Sequence, residues 1–273
     1  MKISLSTGSL YHFPLSTVFV LARELGFDGV ELVLGPESLV RGPGFVRQLS
    51  QRHGVPVLSL HPPIMGLPGW GRESGLPGKI AAWAGEVGVS VASVHVPRAP
   101  SLKCHQGQRY LWEVENAAKT LRDQGAQLAL ENRARFFPNE EAQALDGVDE
   151  LVAFVSERDL AITWDTAHAA SMGIDNLKAL IQVLPYLRNV HFSDFRHLPR
   201  WLDLPQCHTI LKHHQMPGDG HLPLRECLQA LSARGYCQLL TLELSPVAIQ
   251  AWNVNRIKDN LGKSLEFVRS SVA

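Results

Sequence analysis

Eight short runs of β-branched and apolar residues recur along the chain, and their spacing restricts the fold more than any other feature. They fall at residues 3–6, 29–33, 57–60, 91–96, 127–130, 160–164, 189–192 and 239–244. Their length and composition are those of strands covered on both faces. Segments of helical period lie between them. Residues 17–25 keep Val18, Leu21, Ala22 and Leu25 on one face, and residues 111–121 keep Leu111, Val114, Ala118 and Leu121. Residues 151–155, 177–187, 224–231 and 257–268 follow the same rule. Gly26, Gly54, Gly88, Gly125 and Gly235 each stand just before a strand, where a helix C-terminus is closed. Strand and helix thus alternate eight times with a unit of about 34 residues, the signature of a (β/α)8 barrel. A doubly wound open sheet shares the alternation, but no G-x-G-x-x-G or Walker-type loop follows any strand.

The 273 residues suit one such barrel, so a single domain over residues 1–273 is expected. A hydrophobic fraction of 45% against 19% charged residues is that of a globular enzyme and excludes a disordered chain. Lys plus Arg and Asp plus Glu are 26 each, so no net field favours nucleic acid or an anionic membrane. Cys104, Cys207, Cys227 and Cys237 form no C-x-x-C pair and read as reduced thiols. The first residues contain no long apolar h-region, and no run reaches membrane-spanning length. The expected compartment is the cytoplasm. Two stretches interrupt the rhythm, the Gly- and Pro-rich residues 61–78 and the long insertion 194–221. Both follow strands, so both are expected over the functional face.

The chemistry is concentrated at strand ends. His61, His95, Glu131, Asp165, His191 and Glu243 close six of the strands, and Glu31 ends the second. From Glu31 onward the gaps are 30, 34, 36, 34, 26 and 52 residues, one βα unit each, with the insertion inside the last. In a closed barrel such residues meet at one rim. Three imidazoles and three carboxylates together call for a divalent cation, and mixed N and O donors suit Zn, Mn or Co better than Mg or Ca. His168, three residues beyond Asp165, is a seventh candidate ligand.

HPP at 61–63, VHVP at 94–97, LEN at 130–132, DTAHAASMG at 165–173, VHFSD at 190–194, PGDGHLPL at 217–224 and LELSP at 242–246 resemble the xylose-isomerase-like barrel superfamily. That group includes sugar and sugar-phosphate isomerases and epimerases, and endonuclease IV. The isomerase branch implies one metal on Glu131, Asp165, His191 and Glu243, with Glu131 and Glu243 as acid and base. The endonuclease branch implies three zinc ions, with His61, His95 and His168 as further ligands and a final Asp-x-His. His214 matches the last His, but Lys212 stands where that Asp belongs, and the segment after Glu131 lacks the endonuclease glycine stretch. The resemblance therefore implies an isomerase or epimerase of a sugar or sugar phosphate, with abasic-site cleavage as the alternative and nucleic acid a partner only under it. One metal site is expected, and His61 with His95 offer a second. Self-association into a homo-oligomer is left open.

Arg133 and Arg135 follow a ligand strand and are candidates to hold a phosphate or carboxylate. Lys212, His213 and His214 lie in the insertion, where Lys212 and His214 are expected substrate contacts. Trp70 and Trp164 are candidates to stack on a sugar, although Trp164, next to Asp165, is expected to pack between sheet and helix. Asp219 reads as a turn residue.

Overall fold

The structure is a computed structural model that describes residues 1–64, 66–70, 76–137 and 139–272. Its strands are β1 (Lys2–Ser6), β2 (Gly29–Val33), β3 (Val57–His61), β4 (Val91–His95), β5 (Gln127–Glu131), β6 (Ala161–Asp165), β7 (Leu187–Phe192) and β8 (Leu239–Leu242). Its helices are α1 (Leu15–Leu25), α2 (Pro36–His53), α3 (Leu76–Val87), α4 (His105–Asp123), α5 (Val148–Arg158), α6 (Thr166–Ser171), α7 (Asn176–Val183), α8 (Pro205–Leu211), α9 (Leu224–Ala233) and α10 (Val254–Val272). The strands pair in chain order, all parallel, and β8 returns to β1 through Lys2↔Leu239 to Leu5↔Leu242. The barrel expected from the spacing is thus closed. Every expected strand is present, with ends displaced by at most two residues.

Side-chain alternation divides each strand between two environments. Leu5, Val30, Leu60, Val94, Leu130, Trp164, Val190 and Leu240 belong to the core between sheet and helices. Burying one such side chain stabilises the fold by about 1.5–3 kcal/mol. Their neighbours turn inward. Val91, Ala129, Ala161 and Leu239 form a separate apolar cluster, the floor of the barrel. Two residues further along β4, β6 and β8 come the fully buried Ser93, Thr163 and Thr241. Ser93 Oγ lies 2.7 Å from Thr163 Oγ1, a contact between non-adjacent strands that crosses the interior. Two residues on again come His95, Asp165 and Glu243. The period of two therefore stacks apolar floor, hydroxyl layer and donor layer, and a one-residue slip would turn every donor toward the helices.

The sequence pattern misses four helices, the short α6 and α8 and the two longer ones, α2 and α3. In α2 the Gly42-Pro43-Gly44 segment hides the period, and Gly42, at φ 78°, kinks the helix there. Helix α3 follows residues 71–75, which lie outside the described residues together with 65, so the expected loop 61–78 is described only in part. Residues 177–187, expected as one helix, are α7, one 3-10 turn over Leu184–Tyr186 and the start of β7, because Pro185 cannot continue an α-helix. Trp164 packs as expected between sheet and helix, and its indole donates to Asn176 Oδ1 at 2.9 Å. Trp70 packs against the core edge with Lys79 over its ring. No helix of the described residues is long and apolar enough to cross a membrane.

Candidate metal centre

The donor layer forms three groups in which the ligand atoms all lie within 4.8 Å of one another: His61, His95 and Glu131; Glu131, Asp165, His191 and Glu243; and Asp165, His168 and His214. Strand register brings them together, since His95 pairs with Glu131 and Asp165 with His191 across adjacent strands. Glu131 is common to the first two groups and Asp165 to the last two. All seven ligand candidates of the sequence meet here, and His214 joins them.

The inner imidazoles are set with ring nitrogens against the carboxylates. His61 Nδ1 donates to the Pro62 carbonyl at 2.7 Å, so Nε2, 3.1 Å from Glu131 Oε2, presents its lone pair in the neutral ring. His168 Nδ1 lies 2.9 Å from the Asn132 carbonyl and 3.3 Å from Glu131 Oε1. His191 Nδ1 has Glu243 Oε2 at 2.9 Å, Glu131 Oε1 at 3.2 Å and Asp165 Oδ2 at 4.0 Å, while Nε2 is 3.0 Å from Glu31 Oε2. A single proton on Nδ1 cannot serve three acceptors. Accordingly Asp165 Oδ2 and Glu243 Oε2 are buried without a hydrogen-bond partner among the described residues. Buried carboxylate oxygens without a hydrogen bond are unfavourable, and a divalent cation would satisfy them. The donor set fits such an ion.

Without an ion, and against the effect of burial, neighbouring carboxylates raise His61, His168 and His191. Burial resists ionisation of Glu131, yet His191 and His95 hold it well below the usual carboxylate range. Burial raises Asp165 despite His168 and His214. His95 is pushed down to about 4 by desolvation and by His61 and His168, against Glu131, so it offers a neutral ligand at pH 7.

Local structure holds the donors in place. Asp165 caps α6, its Oδ1 accepting the His168 N–H at 2.6 Å. Asn132 grips the Asp165 backbone from both sides, accepting its N–H at 2.8 Å and donating to its carbonyl at 3.0 Å. The insertion is fastened by Asp194, whose carboxylate accepts the N–H groups of Phe195, Gly218, Gly220 and Leu222 at 2.8–3.1 Å. A Cβ on Gly220 would fall 2.2 Å from Asp194 Oδ1, so only glycine fits that turn. His214 adopts φ 52°, the left-handed region, and its carbonyl accepts the Ser245 N–H at 2.7 Å. Such strain of about 1–3 kcal/mol is stored where surrounding contacts impose it.

Two expected substrate contacts, Arg133 and Lys212, are engaged by carboxylates of the protein itself. Arg133 is buried and neutralised from within: Nε and Nη2 reach the Asp146 carboxylate at 2.6 and 2.8 Å, and Nη1 reaches Glu140 at 3.0 Å. It braces the loop after β5. Arg135 Nε, by contrast, is buried without a partner among the described residues. Lys212 is engaged by Asp203 at 3.0 Å, and Asp165 supplies the third donor beside His168 and His214. The lysine therefore does not abolish that group. His213 stacks on Phe136 with centroids 5.2 Å apart, and neither of its buried nitrogens has a partner among the described residues. A cavity of about 300 Å³ lies under the loops after β1, β2 and β3, lined by Leu10, Phe13, Val33 and Ile64 but by none of the donors. The sequence reading missed Asn132, although it belongs to the Leu-Glu-Asn motif, and gave Glu31 no role.

Known proteins resemble the chain over its full length. An uncharacterized protein of Mycobacterium bovis is 30% identical over 290 aligned positions, 99% of this chain and 97% of the relative. Among solved structures, a D-allulose 3-epimerase from Methylomonas sp. superposes with TM-score 0.73 at 16% identity, covering 99% of this chain and 98% of that one. A 3-keto-D-glucoside 4-epimerase from E. coli gives TM-score 0.68 at 19% identity, with 99% of each chain covered. At these identities the structural likeness is one of fold. A sequence profile described as xylose isomerase-like TIM barrel matches residues 19–271. With that match and the full-length relative, the chain belongs to the xylose isomerase-like TIM barrel family.

Proposed function

We propose that the protein is a divalent-metal-dependent isomerase or epimerase acting on a sugar or sugar phosphate, with Glu131 and Glu243 as its proton carriers. The observation that carries this reading is the pair of glutamates in one buried donor group with Asp165 and His191. A Zn, Mn or Co ion held by these four residues would polarise the carbonyl and hydroxyl oxygens of the substrate. Glu131 and Glu243 come from β5 and from the end of β8, so they approach a substrate from different sides. One carboxylate takes the proton from the carbon beside the carbonyl, and a carboxylic acid returns a proton to the neighbouring oxygen and carbon. Return to the opposite face of the same carbon gives an epimer. Return to the adjacent carbon gives an aldose–ketose pair. Glu243 suits the proton-accepting role, because its side chain is 15% exposed against 1% for Glu131. Arg135 is the guanidinium of its loop suited to a phosphate or carboxylate on the substrate.

The test is solvent exchange. Protein loaded with manganese, cobalt or zinc in deuterated water is expected to label the carbon beside the carbonyl of its sugar. Glu131→Gln and Glu243→Gln are each expected to lower that rate by about 10²–10⁴-fold. Wild-type exchange in either variant removes that residue from the mechanism. A second reading, a zinc-dependent phosphodiesterase of the endonuclease IV kind, is favoured by the third donor group of Asp165, His168 and His214. Zinc-dependent incision of abasic DNA, with no exchange on any sugar or sugar phosphate, would decide for it.

A further inference from the structure

Glu31 lies at zero exposure inside the barrel, in none of the three donor groups. A carboxylate in that position is unfavourable unless its surroundings use it. Three side chains converge on its Oε2: Ser59 Oγ donates at 2.8 Å, Asn189 Nδ2 donates at 3.0 Å, and His191 Nε2 stands at 3.0 Å. The chain continues away from the donors. Thr241 Oγ1 donates to Asn189 Oδ1 at 3.0 Å and lies 2.8 Å from Ser4 Oγ. The Glu31 carboxylate only accepts, so it holds the Asn189 amide with its NH₂ toward Glu31, and Oδ1 is left to accept from the Thr241 hydroxyl. Ser59 and Asn189 both donate, so Glu31 receives hydrogen bonds as an acceptor and is aimed at one further donor, the Nε2–H of His191.

We propose that Glu31 is a positioning residue that sets the tautomer and ring orientation of His191. With the proton held on Nε2, Nδ1 is left as a bare lone pair directed at the space bounded by Glu131, Asp165 and Glu243. Without Glu31 the proton is free to sit on Nδ1, where three carboxylates attract it and where it blocks ligation. The inference rests on the reading that this donor group holds a divalent ion. The carboxylate–imidazole–metal arrangement is a general device for raising ligand basicity and fixing the ring. Here it is assembled across the barrel from β2 and β7, and hydroxyls of β1, β3 and β8 orient it.

The experiment measures zinc and cobalt affinity of the full-length protein by competition with a chromophoric chelator, with thermal unfolding of each variant beside it. Glu31→Ala and Glu31→Gln are expected to bind zinc about 10–100-fold more weakly than wild type and to shift the visible spectrum of bound cobalt. Gln is close to isosteric, so it serves if the Ala variant fails to fold. Ser93→Ala removes a buried hydroxyl of the same interior layer that touches Thr163 and not Glu31, and it is expected to leave zinc binding unchanged. Wild-type zinc affinity and an unchanged cobalt spectrum in folded Glu31→Gln overturn the inference. An equal loss in Ser93→Ala also overturns it, since a general loosening of the barrel would then suffice. Neither readout depends on turnover. A protein whose zinc affinity depends on Glu31 yet which exchanges no sugar proton sinks the isomerase reading and leaves this one standing.

Discussion

His168 carries a charge that its surroundings impose. Burial opposes protonation, but Asp165 and Glu131 outweigh it and raise the pKa to about 9. A histidine in an unfolded chain titrates near about 6.5. In metal-free protein the pairing therefore contributes stability that is complete below about pH 6.5 and is lost as the pH rises through 9. Chelator-treated protein is expected to melt at falling temperature over that window, with a shallower fall in His168→Gln; identical profiles would remove His168 as the cause. The thiols differ for equally local reasons. Burial pushes Cys227 up to about 12, whereas the Gly107 N–H at the start of α4 lowers Cys104. Alkylation at pH 8 is expected to label the exposed Cys237 and the half-buried Cys104 and to spare Cys227. Equal labelling of Cys227 in the native protein would contradict its burial.

Loops, rather than strands, hold the unusual energetics at the level of elements. Arg133 is 7% exposed and its partner Asp146 is 11% exposed, so Arg133→Gln leaves a carboxylate with little water and no cation. A loss of about 3 kcal/mol in chemical denaturation is expected, and a loss near zero would return Arg133 to the candidates for substrate binding. The insertion depends on Asp194 in the same way, because four backbone donors close on one carboxylate. Asp194→Ala is expected to accelerate proteolysis between residues 195 and 220 and to weaken metal binding by the group that includes His214. Unchanged proteolysis would show that the bridge between Asp194 and Gln215 suffices alone. The strand runs were legible because a barrel strand needs an uninterrupted apolar register. Helix α2 was not, because its Gly-Pro-Gly kink is stabilised by packing of Val46 and Leu49 rather than by local propensity.

Across the whole molecule, the donor layer joins β3 through β8 at one rim, and an ion held by Glu131, Asp165, His191 and Glu243 would tie β5 through β8 together. Zinc added to chelator-treated protein at 100 times its dissociation constant is expected to stabilise the fold by about 2.7 kcal/mol. Glu131→Gln should remove most of that gain, because Glu131 serves two donor groups at once. A melting curve indifferent to zinc, manganese and cobalt would leave the buried oxygens of Asp165 and Glu243 unexplained.

The period of two within each strand, and the repeat of strand and helix, were enough to determine the barrel and the rim on which His61, His95, Glu131, Asp165, His191 and Glu243 meet. Those features are local, and a closed parallel sheet admits one arrangement of them. Tertiary structure alone decided which charges remain available to a ligand. Arg133 and Arg135 are two positions apart in sequence, yet only Arg133 meets Asp146 and Glu140. Lys212, expected where a zinc-binding Asp would stand, is engaged by Asp203, and the carboxylate grouped with His168 and His214 is that of Asp165. Glu31, expected at the end of the second strand, lies in the middle of β2, and its partner His191 is 160 residues away. A side chain's charge is written in the sequence, but its counter-ion is supplied by folding, from strands and loops that no local pattern connects.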